Sequence, residues 1–368
     1  MEGTLSRALS SAEDRWAGVG PYYAMFPVQF TNHVIEKFVG NRGRVLDPFA
    51  GRATSLFSAA ARGLTAGGIE INPVGWVYGR AKLFPGQQQA VEARITTIAR
   101  ASRATDLSTI SLPRFFNLCY SPRVRRFLLA ARALLDWRHS IIDCTTMAFI
   151  LIYLHGKREA SFSNQMRQSK AMAPDYSVSW WLRKRLTPPR LDPEQFLLRR
   201  VRWRYKAGRP EVTPACFLLG DSAILMPRLA KHGPFDFMLT SPPYYGVANY
   251  YYDQWLRLWM LGEAPQPVCN ADPHKGKFHD RTSYRTLLGK VFGEASNMLR
   301  RSGHVYVRTD ARQFTYETTV ETLREAFPKW RLRTTARPFS RPTQTALFGD
   351  DDEKPGEKDI ILTGPAAS

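Results

Sequence analysis

The chain has 368 residues, enough for one large α/β domain with an insertion or for two domains. Its hydrophobic content of 44% is ample for a globular core. Lys and Arg number 52 against 32 Asp and Glu, which gives a formal net charge of +20 and a pI near 10.1. Such an excess is typical of proteins that bind a polyanion or an acidic membrane surface, and the uneven placement of the charge argues against a merely basic, soluble surface.

The apolar segments and the cysteines indicate the compartment. The N-terminal stretch MEGTLSRALSSAEDRW lacks the apolar core of a signal peptide, and the apolar run MAFILIYL at 147–154 is too short to cross a bilayer. The cysteines show no paired spacing, so we expect neither a disulfide framework nor a zinc site. These residues are Cys119, Cys144, Cys216 and Cys269. We therefore expect a cytoplasmic, nucleoid-associated protein without membrane or metal.

In chain order, residues 21–39 predict a loop followed by a helix, because apolar residues recur at helical spacing from Phe30 to Phe38. GRVLDPFAG then predicts a buried strand and a tight turn, and TSLFSAAARG predicts a helix that ends at Gly63. AGGIEIN predicts a second strand. Residues 43–72 thus form a strand–turn–helix–strand unit of the usual length.

The segment from 86 to 214 interrupts this alternation and concentrates the charge. It holds 23 Lys and Arg against 9 Asp and Glu, a net +14 of the total +20. Helical spacing predicts helices in SPRVRRFLLAARALLDWRH and TTMAFILIYLHG, whereas residues 161–185 are poorly periodic and predict a loop. Prolines at 188, 189 and 193 indicate a boundary. Aromatic residues interleave with the cations, and cations beside stackable rings favour nucleic acid over membrane.

Regular alternation returns after 214. PACFLLGDS, FDFMLTS, HVYVRTD, WRLRTTARPF and DIILTG predict strands, separated in part by helices in YRTLLGKVFGEASNMLRRSG and TTVETLREAF. The charged stretch 340–357 predicts an exposed loop. We therefore expect an α/β fold with a Rossmann-like, mostly parallel sheet, built from 1–85 and 214–368. Residues 86–213 would be a largely helical basic insertion.

A ligand site is expected at the carboxyl ends of the first two strands. Asp47 and Gly51 lie in the first turn, and Glu70 ends the second strand, 19 residues after Gly51. An acid at that place commonly accepts hydrogen bonds from ribose hydroxyls. Neither G-x-x-x-x-G-K-[ST] nor G-x-G-x-x-G is present. The alternative for each acid is a local structural role, but their joint spacing predicts a nucleoside-bearing cofactor.

Four motifs resemble those of DNA amino-methyltransferases. LDPFAGRAT with GIEINP is similar to the family's S-adenosylmethionine-binding motif, and TSPPY is similar to its catalytic motif. FLLGDS resembles the strand whose terminal acid contacts adenine, and AMFPVQF resembles the element that leads into the first helix. The motif order is similar to the family's alpha-type arrangement, in which the intervening segment recognises the DNA target. The resemblance covers roughly residues 21–85 and 214–310.

The resemblance implies S-adenosyl-L-methionine as the cofactor and gives roles to individual residues. Glu70 would bind the ribose hydroxyls and Asp221 the adenine amino group. The methionine part would be held by Asp47, Phe49, Gly51 and Thr54, and the neighbouring motif positions are Phe26, Pro27, Pro48 and Asn72. The family usually has a second glycine where this chain has Ala53, and a methyl group at that position is tolerable only at negative φ, which we therefore expect there.

The turn after the strand FDFMLTS suits methylation of an exocyclic amine. Such an amine is planar and a poor nucleophile, so acceptors on its N–H groups help to localise the lone pair. Ser241 offers a hydroxyl oxygen and Pro242 a carbonyl, which Pro243 helps to hold in a fixed direction. Tyr244 offers a face on which a flipped base can stack. The alternative is a rigid strand exit with a packing tyrosine, and helix packing is favoured for the aromatic run at 250–255.

The first residue of the motif favours cytosine (N4) over adenine (N6) as the target within this family, although a hydroxyl and a carboxylate can both accept from the amine. RNA methylation and a non-catalytic nucleic-acid-binding protein on the same fold remain alternatives. The expected partner is double-stranded DNA, and a cognate restriction endonuclease is a further candidate. Side chains able to read bases or grip phosphates are Asn164, Gln165, Arg167, Lys170, Arg183, Lys184 and Arg185. A solvated connecting loop is the alternative for 161–185.

Overall fold

A computed structural model describes residues 11–22, 25–246, 250–267, 280–337 and 356–365. Within these residues, seven strands form one sheet. They are β1 (Arg44–Asp47), β2 (Thr65–Glu70), β3 (Ala215–Leu219), β4 (Phe235–Thr240), β5 (Leu299–Asp310), β6 (Arg331–Arg337) and β7 (Glu357–Thr363). Their order across the sheet is β3-β2-β1-β4-β5-β7-β6.

The first five strands run parallel, and β7 lies antiparallel between β5 and β6. The predicted α/β class with a Rossmann-like, mostly parallel sheet is therefore confirmed. Because β1, β2 and β4 are parallel, their last residues, Asp47, Glu70 and Thr240, lie at the same edge of the sheet.

Helices cover both faces of the sheet. Before the insertion they are α1 (Ala12–Ala17), α2 (Val28–Phe38), α3 (Thr54–Ala60) and α4 (Pro73–Leu83). The six helices of the insertion are numbered α5 to α10. After the insertion come α11 (Ser222–Leu225), α12 (Tyr250–Asp253), α13 (Trp255–Met260), α14 (Arg281–Met298) and α15 (Gln313–Ala326). Successive side chains of β1 point to opposite faces of the sheet. Val45 belongs to the hydrophobic core that includes α2 to α4, and Leu46 belongs to the core that includes α14 and α15.

The insertion is helical and shares one core with the sheet. Its helices are α5 (Gln88–Ser102), α6 (Arg114–Cys119), α7 (Pro122–Leu134), α8 (Ile141–Tyr153), α9 (Pro174–Arg183) and α10 (Pro193–Arg204). Trp16 of α1 makes edge contacts with the rings of Phe149 in α8 and Tyr205 after α10. Trp76 of α4 contacts Trp137 in the same way. The hydrophobic core therefore runs without a break from α4 into the insertion.

Two segments differ from the sequence predictions. The loop predicted at 161–185 contains α9, which begins with Pro174 at its first position and buries Trp181. The boundary predicted near Pro193 is the start of α10, where Asp192 caps the helix by accepting from the N–H groups of Glu194 and Gln195. Proline favours the first turn of a helix, so Pro174 and Pro193 each begin one, whereas Pro188 and Pro189 lie in the non-helical stretch between α9 and α10.

The stretch predicted as a loop at 340–357 lies outside the described residues except at its end, where Glu357 begins β7. Among the helices that the structure describes, none is long and apolar enough to cross a bilayer.

Candidate active site

A cleft opens at the carboxyl ends of β1, β2 and β4. Its cavity volume is about 80 Å³. The residues predicted from the sequence that line it are Pro48, Phe49, Gly51, Glu70, Asn72, Asp221, Ser241 and Pro243. A second pocket of about 40 Å³ shares Phe49, Gly51 and Ser241 with the cleft and is also lined by Phe26, Asp47 and Thr54. The structure thus places the cofactor motifs and Ser241 around two adjoining pockets.

Asp47 joins two turns of the site. One is the turn after β1 (residues 48–53), which is predicted to bind the cofactor and is called the cofactor turn below, and the other is the TSPPY segment. Its Oδ1 accepts from Thr240 Oγ1 at 2.7 Å and from the Phe49 N–H at 3.1 Å. Its Oδ2 accepts from Ser55 Oγ at the start of α3. Asp47 is 2% exposed, and burial raises the pKa of its carboxyl to about 6, against the opposing effect of these hydrogen bonds. The residue before Ser241 is therefore fixed directly to the cofactor turn.

Glu70 is the second buried acid of the site. Its Oε1 accepts from the Asn72 N–H at 2.7 Å and lies 3.5 Å from the donating hydroxyl of Tyr22. Burial raises the pKa of Glu70 to about 7, with a further contribution from the negative charge of Asp47. A carboxyl group with this pKa changes charge near neutral pH.

Ala53 corrects the expectation of a negative φ. Its φ is 57° and its ψ 43°, so the residue is left-handed, and its N–H donates to the Ala50 carbonyl at 2.7 Å. The methyl group is accommodated because Gly79 of α4 packs against it, where an added Cβ would lie 2.8 Å from that of Ala53. Left-handed backbone costs a non-glycine residue about 1–2 kcal/mol. Packing against Gly79 therefore holds the turn in the shape that a glycine would adopt freely.

Among the buried polar atoms at these pockets that have no hydrogen-bond partner among the described residues, two belong to predicted site residues. They are the Thr54 hydroxyl at the second pocket and the Asn72 side-chain NH₂ at the cleft, and both are buried. The other amide atom of Asn72 caps α4 by accepting from the Val74 N–H at 2.9 Å. Buried donors of this kind are normally satisfied, so both fit a polar ligand that fills the pockets.

Asp221 and the remaining motif residues have distinct places. Asp221 lines the cleft and caps the short helix α11 by accepting from the Ala223 N–H at 2.9 Å. Pro27 is the N-cap of α2, next to Phe26. In the TSPPY turn, Pro242 is buried, and the Tyr244 hydroxyl donates to Glu357 Oε1 at 3.0 Å. Nothing in these positions conflicts with the predicted acceptor roles of Ser241 and the Pro242 carbonyl.

The predicted nucleic-acid contacts divide into buried and exposed residues. Asn164 is fully buried, its NH₂ donates to the Leu118 and Leu186 carbonyls at 3.1 Å, and its Oδ1 accepts from the Gln165 N–H. Its side chain serves the loop itself, which corrects the expectation that it reads a base. Gln165 is half-buried and accepts from the Arg158 N–H.

The basic members of that set are more accessible. Arg167, Arg183, Lys184 and Arg185 are exposed. Lys170 is half-buried and forms a 3.0 Å ion pair with Asp253 of α12. The loop that carries Arg167 and Lys170 lies against α12, since the Ala171 N–H donates to the carbonyl of Asp253 at the end of that helix. Tyr251 of the same helix α12 lines the cleft.

Six residues that line the cleft were missed or given another role: Tyr22, Ile69, Ile71, Ser222, Tyr251 and Leu287. Tyr22 lies four residues before Phe26, outside the motif AMFPVQF that marked the cofactor element. Leu287 was predicted only as an inner residue of its helix. Tyr251 belongs to the aromatic run for which packing was favoured, and it both packs and lines the cleft. The aromatic character of Tyr22 and Tyr251 beside the motifs was the available signal.

Within the described residues, no group of three or more His, Cys, Asp or Glu side chains is placed to hold a metal ion.

Comparison with known proteins gives one relative by sequence. No family model matches the chain. The Type II methyltransferase M.MvaI of Kocuria varians is 22% identical over 273 residues, which are 64% of this chain and 57% of that protein. The chain therefore spans little more than half the length of this relative.

Solved structures with some likeness include TrmN and the rRNA methyltransferase aviRa. TrmN from Thermus thermophilus is 12% identical, with a TM-score of 0.32 over 92% of this chain and 48% of its own. The rRNA methyltransferase aviRa from Streptomyces viridochromogenes is 11% identical, with a TM-score of 0.33 over 94% of this chain and 90% of its own. Likeness at this level carries no inference about what this chain binds or does.

Proposed function

We propose that this protein is an S-adenosylmethionine-dependent DNA methyltransferase that modifies the exocyclic amino group (N4) of cytosine. The observation that carries the proposal is the hydrogen bond from Thr240 to Asp47, which fixes the TSPPY turn against the cofactor turn. Ser241 consequently lines both adjoining pockets. The sequence likeness to a Type II methyltransferase supports methyl transfer as the reaction.

The cofactor-binding residues follow from the two pockets. S-adenosylmethionine supplies an electrophilic sulfonium methyl group when it is bound. Glu70 accepts hydrogen bonds from the ribose hydroxyls, and Asp221 accepts from the adenine amino group. Asp47, Phe49, Gly51 and Thr54 surround the methionine part in the second pocket. The unpartnered donors of Thr54 and Asn72 provide hydrogen bonds to the polar atoms of the ligand.

The target amine reacts at Ser241. The Ser241 hydroxyl oxygen and the Pro242 carbonyl accept from its two N–H groups and localise the nitrogen lone pair toward the methyl group. Pro242 and Pro243 restrict the backbone of the turn, so the Pro242 carbonyl would need little reorganisation in the transition state. With S-adenosylmethionine bound, the amine nitrogen would take its methyl group, the electrons of the broken bond would stay on the sulfur, and the amine would then release one proton to solvent. Tyr244 supports the base after it leaves the duplex, which offsets part of the few kcal/mol that flipping costs.

Double-stranded DNA is the proposed partner, and the loop with Arg167 and Lys170 is the proposed contact to it. This loop is tied to α12 and α13 by the Gln254 and Trp255 side chains, which donate to the Ser169 and Met172 carbonyls. Since α12 also carries Tyr251 at the cleft, cations on the loop lie beside the site where a base would enter. The exposed cluster at 183–185 extends the basic surface. A cognate restriction endonuclease is a further candidate partner.

Transfer of a labelled methyl group tests the proposal. The protein is incubated with S-adenosylmethionine carrying a labelled methyl group, together with duplex DNA or with RNA in parallel. We expect label in DNA and cofactor binding by calorimetry. Label in RNA alone would favour an RNA methyltransferase, and absence of cofactor binding would favour a non-catalytic nucleic-acid-binding protein.

A further inference from the structure

The hydroxyl group of Tyr244 is held by a residue far away in the chain. Tyr244 follows β4, whereas Glu357 begins β7, and their 3.0 Å hydrogen bond joins residues 113 positions apart. Because β5 lies between β4 and β7 in the sheet, this bond passes across the carboxyl end of β5. The TSPPY turn is thus attached to the far part of the sheet by its tyrosine.

Glu357 is itself held by a network of charges. Its Oε2 lies 3.6 Å from Nε of Arg308 on β5. Arg308 forms a bidentate pair with Asp359, with distances of 2.8 and 3.2 Å, and it lies directly opposite Asp359 in the sheet. Arg337 of β6 donates to the same carboxylate. Asp359 is 1% exposed, so its position and that of the Arg308 guanidinium are fixed by packing as well as by charge.

The same arginine reaches the cofactor side of the site. Its guanidinium lies 4.0 Å from the ring centroid of Phe30 and 5.5 Å from that of Phe26. Phe26 lines the second pocket together with Asp47 and Ser241. Arg308 therefore contacts a wall of the cofactor pocket and, through Glu357, the tyrosine of the catalytic turn.

We propose that Glu357 is a positioning residue that fixes the Tyr244 ring for the target base, with Arg308 holding Glu357 in place. This role rests on the proposed function of the TSPPY turn. It assigns a task to the first residue of β7, which none of the sequence motifs includes.

The physical basis is the orientation of a ring. Stacking needs the face of Tyr244 and not its hydroxyl, so a phenylalanine could stack equally well. The hydrogen bond to a charged acceptor instead restricts rotation of the ring, so that the flipped base finds its platform already in place. Losing the hydroxyl and losing its acceptor should therefore have the same consequence.

Four variants test the role: Tyr244→Phe, Glu357→Ala, the double variant and Glu357→Gln. The measurements are kcat for DNA methylation, and the Kd of S-adenosylmethionine by calorimetry. We expect each of the first two variants to lower kcat about tenfold, the effect of one hydrogen bond to a charged group, with cofactor Kd unchanged. The double variant should be no slower than either single one, because both remove the same interaction. Glu357→Gln keeps an acceptor and should recover most of the rate.

Glu321→Gln serves as the control. Glu321 is an exposed residue of α15 that pairs with Arg285 of α14, so this variant should leave kcat unchanged. Two results with an active wild-type protein would overturn the positioning role alone. One is a normal rate of methylation by Tyr244→Phe, and the other is a loss in the double variant equal to the sum of the two single losses in activation free energy. A wild-type protein that methylates no nucleic acid would overturn the proposed function and this role together.

Discussion

The cofactor cleft and the loop at 164–171 both carry polar side chains, but they use them differently. At the cleft, Asp47 and Glu70 are buried at strand ends and line open pockets, so that burial raises the pKa of each. In the loop, the side chain of the buried residue Asn164 bonds to backbone groups of Leu118, Leu186 and Gln165, and Arg167 is exposed. Burial of a polar group thus indicates a ligand site only where an open pocket adjoins it.

The largest expected effect separates the catalytic turn from the cofactor turn. Ser241→Ala removes one acceptor from the amine and should lower kcat about a hundredfold or more, by analogy with loss of one preorganised hydrogen-bonding group. Its cofactor Kd should stay within about twofold, because calorimetry reports ground-state binding only. Asp47→Ala should instead weaken cofactor binding first, since it frees both Ser55 and Thr240. Equal loss of cofactor binding in both variants would argue that the TSPPY turn is only structural.

The raised pKa of Glu70 predicts pH-dependent cofactor binding. The ionised carboxylate is the stronger acceptor for ribose hydroxyls, and its pKa is about 7 in the folded protein. Affinity should therefore rise by about tenfold between pH 6 and pH 8, as measured by calorimetry. Glu70→Gln should bind more weakly and lose this dependence.

The free protein should show the opposite trend in stability. Folding raises the pKa of Glu70 from 4.5 to about 7, so the folded state holds its proton more tightly than the unfolded state. The resulting stabilisation is complete below pH 4.5 and is lost as the pH rises through about 7. Denaturant unfolding of wild type and Glu70→Gln across this range would reveal the difference, and identical pH profiles would contradict it.

Within the insertion, a matched pair of variants sharpens the contrast between buried and exposed polar residues. Asn164→Ala should lower the free energy of unfolding by about 1–3 kcal/mol, because it leaves two part-buried carbonyls without this donor. Arg167→Ala should leave that free energy unchanged, weaken DNA binding at low salt, and reduce the slope of log affinity against log salt by about one. A large stability loss in Arg167→Ala would remove the distinction.

The smallest expected effect concerns Ala53. Ala53→Gly relieves the strain of the left-handed backbone, which stabilises the fold. It also removes a buried methyl group and raises the conformational entropy of the unfolded chain, and both of these destabilise it. The free energy of unfolding should therefore change by less than about 1 kcal/mol. Ala53→Val should be more destabilising, because a β-branched side chain strongly disfavours the positive φ of this residue. Thermal or denaturant unfolding of both variants checks this, and a stable valine variant would contradict it.

Much of the fold was accessible from the sequence, because strands and helices alternate clearly outside the insertion. Motif spacing and the family resemblance also identified Asp47, Glu70, Asp221 and Ser241, which line the two adjoining pockets. The sequence could not reveal α9, since residues 161–185 are poorly periodic, or the positive φ of Ala53, since Gly79 is distant in the chain. It could not distinguish Asn164 from Arg167 either, because the partners that bury Asn164 come from other elements.

The most direct test of the account is the identity of the methylated nucleoside. DNA treated with the protein and S-adenosylmethionine is digested to nucleosides and analysed by mass spectrometry, with Ser241→Ala in parallel. We predict N4-methylcytosine with the wild-type protein and almost none with the variant. N6-methyladenine would preserve the mechanism but contradict the target base, and 5-methylcytosine or no modified base would contradict transfer to an exocyclic amine at Ser241.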